Sequence, residues 1–324
     1  MPPSLSPLPP HADQVVISVN PKAGAKSPLD RVQALAALLE KRNLTPHVLT
    51  DLDEVGTRAN RLHAEGRLRA LVGVGGDGTA AELVNRTAAG LPLTLLPAGN
   101  ENLLARYLGL GKSPAELCRT IAEGSIRRLD AASANGRVFL LMTGCGFDAD
   151  VVHRVHVNRT GHIRSRNYAK PILAAIRSYG YPAIRVYLDE TGGTHGHRQD
   201  AGATNGHRQD AGATALEVRW LFVFNLPCYG GGLRLAPQAD GSDGLLDVCG
   251  FRRGSLWHGL RYAAAVAFGR HQRLADCTTC RVRRLRITSD TEVRYQLDGD
   301  PGGVLPLEIE VLPGRLTVVV PAKS

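Results

Sequence analysis

Nowhere does this 324-residue chain contain an apolar run of the ~18–20 residues that a membrane-spanning helix requires. Its opening stretch, MPPSLSPLPPHADQ, lacks the charged-then-apolar order of an export signal, so a cytoplasmic protein is expected. Cysteine is scarce: Cys118, Cys145, Cys228, Cys249, Cys277 and Cys280 are scattered through a chain large enough to bury a core without disulfides, and free thiols are expected. The pair Cys277-Thr-Thr-Cys280 has no second Cys/His pair at matching spacing. His271 could add one ligand at most, which argues against a structural zinc site. Helix-turn-helix, zinc-finger and RNA-recognition signatures are missing too. The net charge of +9 is spread along the chain, with only local clusters at Arg252-Arg253 and Arg281–Arg286. Nucleic acid is therefore not expected as a partner. A basic surface suits ATP and the anionic face of a membrane better.

What is present is the composition of a globular protein, 43% apolar and 21% charged, long enough for two cores. The first part alternates short apolar runs with amphipathic ones. Strands are expected at Val15–Val19, Pro46–Leu49, Ala70–Val74 and Leu93–Leu96, and helices at Pro28–Arg42, Asp53–Glu65, Thr79–Ala89, Asn100–Leu108 and Pro114–Gly124. That order predicts an α/β fold with a parallel sheet. After Ile126 the texture turns to strands, at Arg137–Thr143, Ile184–Leu188, Leu216–Asn225, Leu245–Cys249, Val282–Thr288, Val293–Leu297 and Leu307–Leu312. Helices are expected only near Asn167–Tyr179 and Ser255–Phe268. The prediction is an α/β domain over 1–132, completed by 313–324, and an antiparallel β-sandwich domain over 133–312. The octapeptide HRQDAGAT occurs at His197–Thr204 and again at His207–Thr214. Polar and Gly-rich, it is read as a disordered surface loop spanning 190–214 and not as a packed repeat.

Three expected strands run into unusual turns: Asn20-Pro21-Lys22-Ala23-Gly24, Gly75-Gly76-Asp77-Gly78-Thr79 and Pro97-Ala98-Gly99-Asn100-Glu101-Asn102. A tight turn leading into a helix aims backbone N–H groups and partial positive charge at an anion, and three at one sheet edge make a phosphate site. Gly73-x-Gly75-x-x-Gly78 formally matches a dinucleotide fingerprint. It follows the third strand, however, and the acidic residue expected ~20 positions on is replaced by Gly99 and Asn100. A P-loop is absent, since Gly24-Ala25-Lys26-Ser27 lacks the upstream glycine. In GGDGT the glycines admit phosphate, and Asp77, expected in an exposed turn, can organise magnesium or its water shell. GGDGT also occurs in NAD kinases, so alone it indicates a kinase without naming the acceptor.

The order of motifs resembles the diacylglycerol kinase catalytic family, which includes bacterial lipid kinases and the sphingosine and ceramide kinases. The segments are VNPKAG at Val19–Gly24, GGDGTAAELVN at Gly75–Asn85, LPAGNENLLARYLG at Leu96–Gly109, GCGFDADV at Gly144–Val151, FNLPCYGGGLRLAPQADGSDGLLDV at Phe224–Val248 and QLDGD at Gln296–Asp300. The resemblance implies a Rossmann-like first domain, a β-sandwich second domain, and a cleft between them where ATP meets a lipid hydroxyl. It implies Asn20, Gly24, Gly76, Gly78 and Thr79 around the nucleotide, joined by Gly99 and Asn102 of the neighbouring turn, with Asp77 at Mg2+. It further implies Asp298 as general base, and a structural magnesium on Asp243 and nearby backbone carbonyls, with Asp240 and Leu245 flanking it. An alcohol acceptor needs a positioned proton acceptor, which supports Asp298 independently; the alternative reading of Asp298 is an Asp-Gly hairpin turn. Two departures stand out. Leu103 replaces an acidic residue of the bacterial pattern, as in sphingosine kinases, and Asp300 stands where bacterial members usually carry glutamate. The implied activity is ATP-dependent phosphorylation of a diacylglycerol-like or sphingoid lipid by a protein held peripherally on an anionic membrane, with room for a homodimer. The alternatives are an NAD-kinase-type enzyme for a soluble substrate and a catalytically impaired nucleotide- or lipid-binding regulator.

Overall fold

A computed structural model describes residues 5–19, 28–157, 178–189 and 214–322. The described residues up to Ala131, together with those from Leu312 onward, form one compact unit. Those from Ala132 to Val311 form a second.

The first unit begins with β1 (Leu5–Pro7), β2 (Gln14–Val19), α1 (Leu29–Glu40), β3 (Thr45–Leu49), α2 (Leu52–Ala64), β4 (Leu68–Gly75), α3 (Asp77–Arg86), β5 (Pro92–Pro97), α4 (Leu103–Tyr107), α5 (Pro114–Glu123) and the start of β6 (Ser125–Ala134). β2 and β5 are buried along their whole length, as strands covered on both faces must be. β4 pairs in parallel with β2 on one side, Val16 opposite Leu71, and with β5 on the other, Val72 opposite Thr94. β3 flanks β2, also in parallel. The helices start where side chains can satisfy their first N–H groups. The Asp51 carboxylate accepts from Asp53 and Glu54 ahead of α2, and Ser113 accepts from Glu116 ahead of α5, whose first residue is Pro114.

The second unit contains β7 (Arg137–Phe139), β8 (Met142–Gly146), α6 (Phe147–Val157), β9 (Ile184–Leu188), β10 (Thr214–Val218), β11 (Trp220–Phe224), β12 (Leu246–Phe251), α7 (Leu256–Ala267), β13 (Cys277–Val282), β14 (Arg284–Thr288), β15 (Arg294–Leu297) and β16 (Asp300–Val304). The last strand, β17 (Leu307–Val320), contributes its beginning to this unit. Its end belongs to the first unit, where Thr317 and Val318 pair in parallel with Pro92 and Leu93 of β5. One antiparallel sheet runs β13-β12-β11-β8-β15-β16, and a second joins β10, β9, β14 and β17. Cys145, Leu221, Val223, Val248 and Leu297 of the first sheet and Val186, Leu285, Ile287 and Ile309 of the second lie in one apolar cluster, which is the core of a sandwich. The protein thus combines a parallel α/β region with an antiparallel two-sheet region.

Several expected elements have different limits. Arg137–Thr143 and Leu216–Asn225 each divide into two strands, broken at Leu140-Leu141 and at Arg219. The helix expected from Asn100 begins only at Leu103. α6, β6 and β13 were not anticipated. The helix expected over Asn167–Tyr179 and the duplicated octapeptide lie almost wholly outside the described residues.

Candidate functional site

In the first unit, two glycine turns at the carboxyl ends of β4 and β5 touch through their backbones. A Cβ on Gly99 would lie 2.8 Å from Gly76 Cα, and one on Gly76 would lie 3.3 Å from Gly99 Cα, so glycine at both positions is a packing requirement. A Cβ on Gly75 would meet Thr79 Oγ1 at 2.1 Å. Hydrogen bonds fasten the same contact. Ala98 N–H donates to the Gly75 carbonyl at 2.9 Å. Asn102, held in the left-handed region at φ 48°, accepts the Gly99 N–H at 2.9 Å and donates its amide to the Gly99 carbonyl at 2.7 Å.

Asp77 completes the tie. Its Oδ2 accepts the Leu103 N–H at 3.0 Å and its Oδ1 accepts the Leu104 N–H at 2.9 Å, which caps the first turn of α4. This departs from the expected exposed turn residue. The side chain is half-buried, and loss of solvent pushes its carboxyl above the usual range despite these two donors, with a smaller push from Glu101. Each carboxylate oxygen can accept from more than one donor. A desolvated carboxylate of this kind fits the water shell of a cation, which would compensate its charge. Gly76, Gly78 and Thr79 follow directly. Gly76 is the N-cap of α3 and has no side chain to close that helix end, so the end is suited to an anion. Asn20 and Gly24 lie outside the described residues. Of the expected nucleotide residues, the structure brings together Gly76, Asp77, Gly78, Thr79, Gly99 and Asn102.

In the second unit Asp298 and Gly299 form the turn between β15 and β16, with φ of 53° and 90°; this is the backbone that Asp-Gly hairpins favour. The Asp298 side chain does more than turn the chain. Oδ2 accepts the Leu140 N–H at 2.7 Å, and Oδ1 accepts those of Leu141 at 2.7 Å and Met142 at 3.1 Å, while Asp298 N–H donates to the Met142 carbonyl at 2.9 Å. Three backbone donors fix a charged carboxylate in one orientation. Asn225 holds the same connection from the other side through the Leu140 carbonyl at 2.7 Å.

Beside this turn lies a second carboxylate that the sequence reading quoted only as part of GCGFDADV. Asp148, in the first turn of α6, accepts from the Tyr229 hydroxyl and from Gln296 Nε2 at 3.0 Å, and burial pushes its carboxyl upward. Gln296 in turn accepts the Gly299 N–H at 2.8 Å, so Asp148 is linked to the Asp298–Gly299 turn through one amide. The signal available was the Gly144-x-Gly146 pair preceding it. A Cβ on Gly144 would lie 2.3 Å from Asp148 Oδ2.

Asp240, Asp243 and Leu245 share one hydrogen-bonded turn. Asp243 Oδ1 accepts the Leu245 N–H at 2.9 Å, its Oδ2 is ion-paired with Arg281, and Asp240 accepts the Ser242 hydroxyl at 2.7 Å. The guanidinium of Arg281 also lies 3.8 Å from buried Asp247, whose carboxyl burial pushes up to about 6. Among the described residues no group of three or more His, Cys, Asp or Glu side chains is placed to hold a metal; a magnesium at Asp243 would draw on backbone carbonyls as well as its carboxylate. Cys277 lies 4.0 Å (Sγ–Sγ) from Cys249, and among the described residues all six cysteines are free thiols.

Comparison with known proteins places these features in a context. Residues 14–134 match the diacylglycerol kinase catalytic domain, and residues 142–320 match the YegS C-terminal NAD kinase beta sandwich-like domain. A diacylglycerol kinase of Mycobacterium tuberculosis is 30% identical over 259 residues, covering 78% of this chain and 77% of that one. A crystal structure of a putative diacylglycerol kinase from Bacillus anthracis superimposes with a TM-score of 0.70 at 20% identity, covering 96% of this chain and 97% of the other. An NAD kinase from Archaeoglobus fulgidus, solved in complex with ATP, is more distant, with a TM-score of 0.50 at 12% identity over 94% of this chain and 93% of that one.

Proposed function

The chain belongs to the lipid kinase family defined by the diacylglycerol kinase catalytic domain, and from that premise we propose that it transfers the γ-phosphoryl group of ATP to a hydroxyl of a membrane lipid, diacylglycerol-like or sphingoid. The observation that carries this reading is the contact of Gly76 with Gly99, locked by Asp77 and Asn102. It leaves the N-terminal end of α3 lined by backbone and suited to the phosphates of ATP. Gly76, Gly78 and Thr79 bind the phosphates there, and Gly99 and Asn102 hold the neighbouring turn in register. Asn20 and Gly24 are assigned to the same nucleotide.

Mg2+, when bound, would supply charge neutralisation at the phosphates. Asp77 would hold that ion's water shell with the acceptor capacity its two capping bonds leave. Asp298 accepts a hydrogen bond from the lipid hydroxyl, orients it, and takes its proton. Phosphoryl transfer passes through a loose transition state with little bonding to the nucleophile, so alignment of the hydroxyl carries much of the catalysis. Asp148 and Gln296 position the Asp298–Gly299 turn. Among the described residues no helix is long and apolar enough to cross a membrane; the lipid is reached by peripheral attachment to an anionic membrane surface from the cytoplasm.

The test is incubation of the purified chain with γ-labelled ATP, magnesium and a total lipid extract, with products identified by mass. Label in an organic-extractable phospholipid is the expected result. Label in NADP, with NAD supplied, would favour the soluble-substrate enzyme. Nucleotide binding without turnover on any lipid would favour a regulator.

A further inference from the structure

The segment from Arg252 to Arg273 contains five arginines (Arg252, Arg253, Arg261, Arg270 and Arg273) and no aspartate or glutamate. All five are exposed. Arg261 lies within α7 and is paired with Asp276 at 3.3 Å, and the other four flank the helix, which is started by Ser255, whose hydroxyl accepts the His258 N–H at 3.2 Å.

The rotation of α7 about its axis is fixed by its inner face. Tyr262 stacks on Phe251 with ring centroids 4.3 Å apart, and its hydroxyl donates to Asp276 at 2.6 Å. Gly259 lies so close to the Trp220 ring that a Cβ would come within 2.9 Å of it, and Val266 is buried. The opposite face therefore points outward, and it is apolar. Trp257 is 77% exposed and Leu260 50%, and just beyond the helix Phe268 is 78% exposed. Positions 257, 260, 264 and 268 recur at helical spacing with alanine at 264, so these residues form one stripe, beside which Leu256, Ala263 and Ala267 are also exposed. Singly exposed apolar residues are ordinary, but an unbroken stripe carrying a tryptophan and a phenylalanine is not. The fold uses Tyr262 and Val266 in its own core and leaves Trp257, Leu260 and Phe268 out.

We propose that this outer face of α7 is the surface by which the protein docks on an anionic lipid bilayer. The charge pattern selects that occupant: an apolar stripe bordered by cations at both ends and free of acidic residues matches a surface of anionic headgroups over hydrocarbon. Tryptophan and arginine are the side chains that settle at that boundary. Each arginine near the surface multiplies partitioning about five-fold, and the apolar stripe adds a contribution that salt does not screen. The inference rests on the membrane-lipid reading for its partner, but its evidence is confined to the residues of α7 and its flanks.

The experiment is co-sedimentation of the full chain with vesicles of phosphatidylcholine alone, or of phosphatidylcholine and phosphatidylglycerol in equal parts, at low and high salt. The parent should bind the mixed vesicles, more weakly at high salt, with a blue shift of tryptophan emission. Trp257→Phe should keep binding and lose the shift. Trp257→Ser, Leu260→Ser and Phe268→Ser together should lower partitioning about ten-fold or more with an unchanged melting temperature, because all three side chains are exposed. Arg252→Gln, Arg253→Gln, Arg270→Gln and Arg273→Gln together should abolish the preference for anionic vesicles. Unchanged partitioning of the triple serine variant would overturn the proposal. So would a vesicle-independent dimer that the same substitutions dissolve, because the stripe would then be covered by a second copy. A short-chain, water-soluble diacylglycerol separates this idea from the catalytic one: the triple variant should phosphorylate it at the parental rate. A parent that docks through α7 yet phosphorylates no lipid would support the surface while refuting the kinase reading.

Discussion

Asp77→Ala is expected to weaken the fold of the first unit as well as its chemistry. A turn aspartate in a phosphate-binding motif is easily regarded as free for its ligand. Here its two oxygens accept the N–H groups of Leu103 and Leu104, 26 and 27 residues further along. Hydrogen bonds to a charged acceptor contribute about 1.5–3 kcal/mol each, and loss of a helix cap costs about 1 kcal/mol. Desolvation outweighs these donors for the charged carboxylate, so the loss rests on the two helix N–H groups that alanine would leave without an acceptor, about 2 kcal/mol together. For a unit of this size that corresponds to a melting temperature lower by on the order of 5–10 °C. Asp77→Asn keeps one acceptor oxygen and should lose about half as much. The assay is thermal unfolding of parent and variants followed by circular dichroism, with ATP affinity measured well below the transition. An alanine variant melting within about 1 °C of the parent would show that the cap carries no weight, and the argument from its two bonds would fail.

Asp298→Asn should lower the chemical step by about 10²–10⁴ at saturating ATP and lipid; single-turnover rates within a few-fold of the parent would remove Asp298 from proton transfer. The same change should cost about 1–3 kcal/mol of stability, because an amide NH2 must face one of three backbone N–H donors. Gly99→Ala should weaken nucleotide binding and cost about 1–3 kcal/mol, since the new Cβ would lie 2.8 Å from Gly76 Cα; parental ATP affinity would show that the glycine contact does not shape the site. Asp247, pushed up to about 6 by burial, binds its proton more tightly when folded than when unfolded. Its contribution is therefore fully present below the ordinary carboxylate pKa of about 4 and is lost as pH rises through about 6. Denaturant titrations between those values should show the parent gaining stability relative to Asp247→Asn as pH falls, and parallel curves would refute this.

The parallel sheet and its helices were legible because their signals are local. β2, β4 and β5, and α1, α2 and α5, all fall within two residues of their expected limits. What escaped was set by partners distant in sequence. Arg137–Thr143 reads as one strand, yet Leu140 and Leu141 send their N–H groups to Asp298, more than 150 residues away, and leave the ladder. The helix expected from Asn100 is delayed to Leu103 because Asn102 adopts a left-handed backbone and Asp77 supplies the cap. β17 was expected to stop at Leu312, just before Pro313-Gly314. Gly314 does turn to φ 61°, but its N–H is taken by Asp130 and the strand continues. α6 follows β8 without a loop, through Gly146 at φ 96°, which no period of apolar residues announces. In the site, residue types and spacing drew attention to the glycine turns and Asp77, and the family resemblance drew it to Asp298. The hydrogen bonds of those aspartates could not be read from spacing, because each donor lies on another element.

Those hydrogen bonds change how activity data on this enzyme must be interpreted. Asp77 and Asp298 are the two carboxylates to which chemistry is assigned, and each also ties a glycine turn to a neighbouring stretch of backbone, Asp77 to the start of α4 and Asp298 to the connection entering β8. Loss of turnover on substituting either could come from the missing ligand, the missing base or the loosened turn. The three causes differ in what else they move. A loosened turn lowers stability and nucleotide affinity together, a missing magnesium-shell contact shifts the metal dependence at constant stability, and a missing proton acceptor slows single-turnover chemistry at saturating ATP and lipid. Gly99→Ala loosens the first turn while leaving both carboxylates in place. Its kinetic profile therefore supplies the reference from which the profiles of Asp77→Asn and Asp298→Asn must differ if those two residues do chemistry.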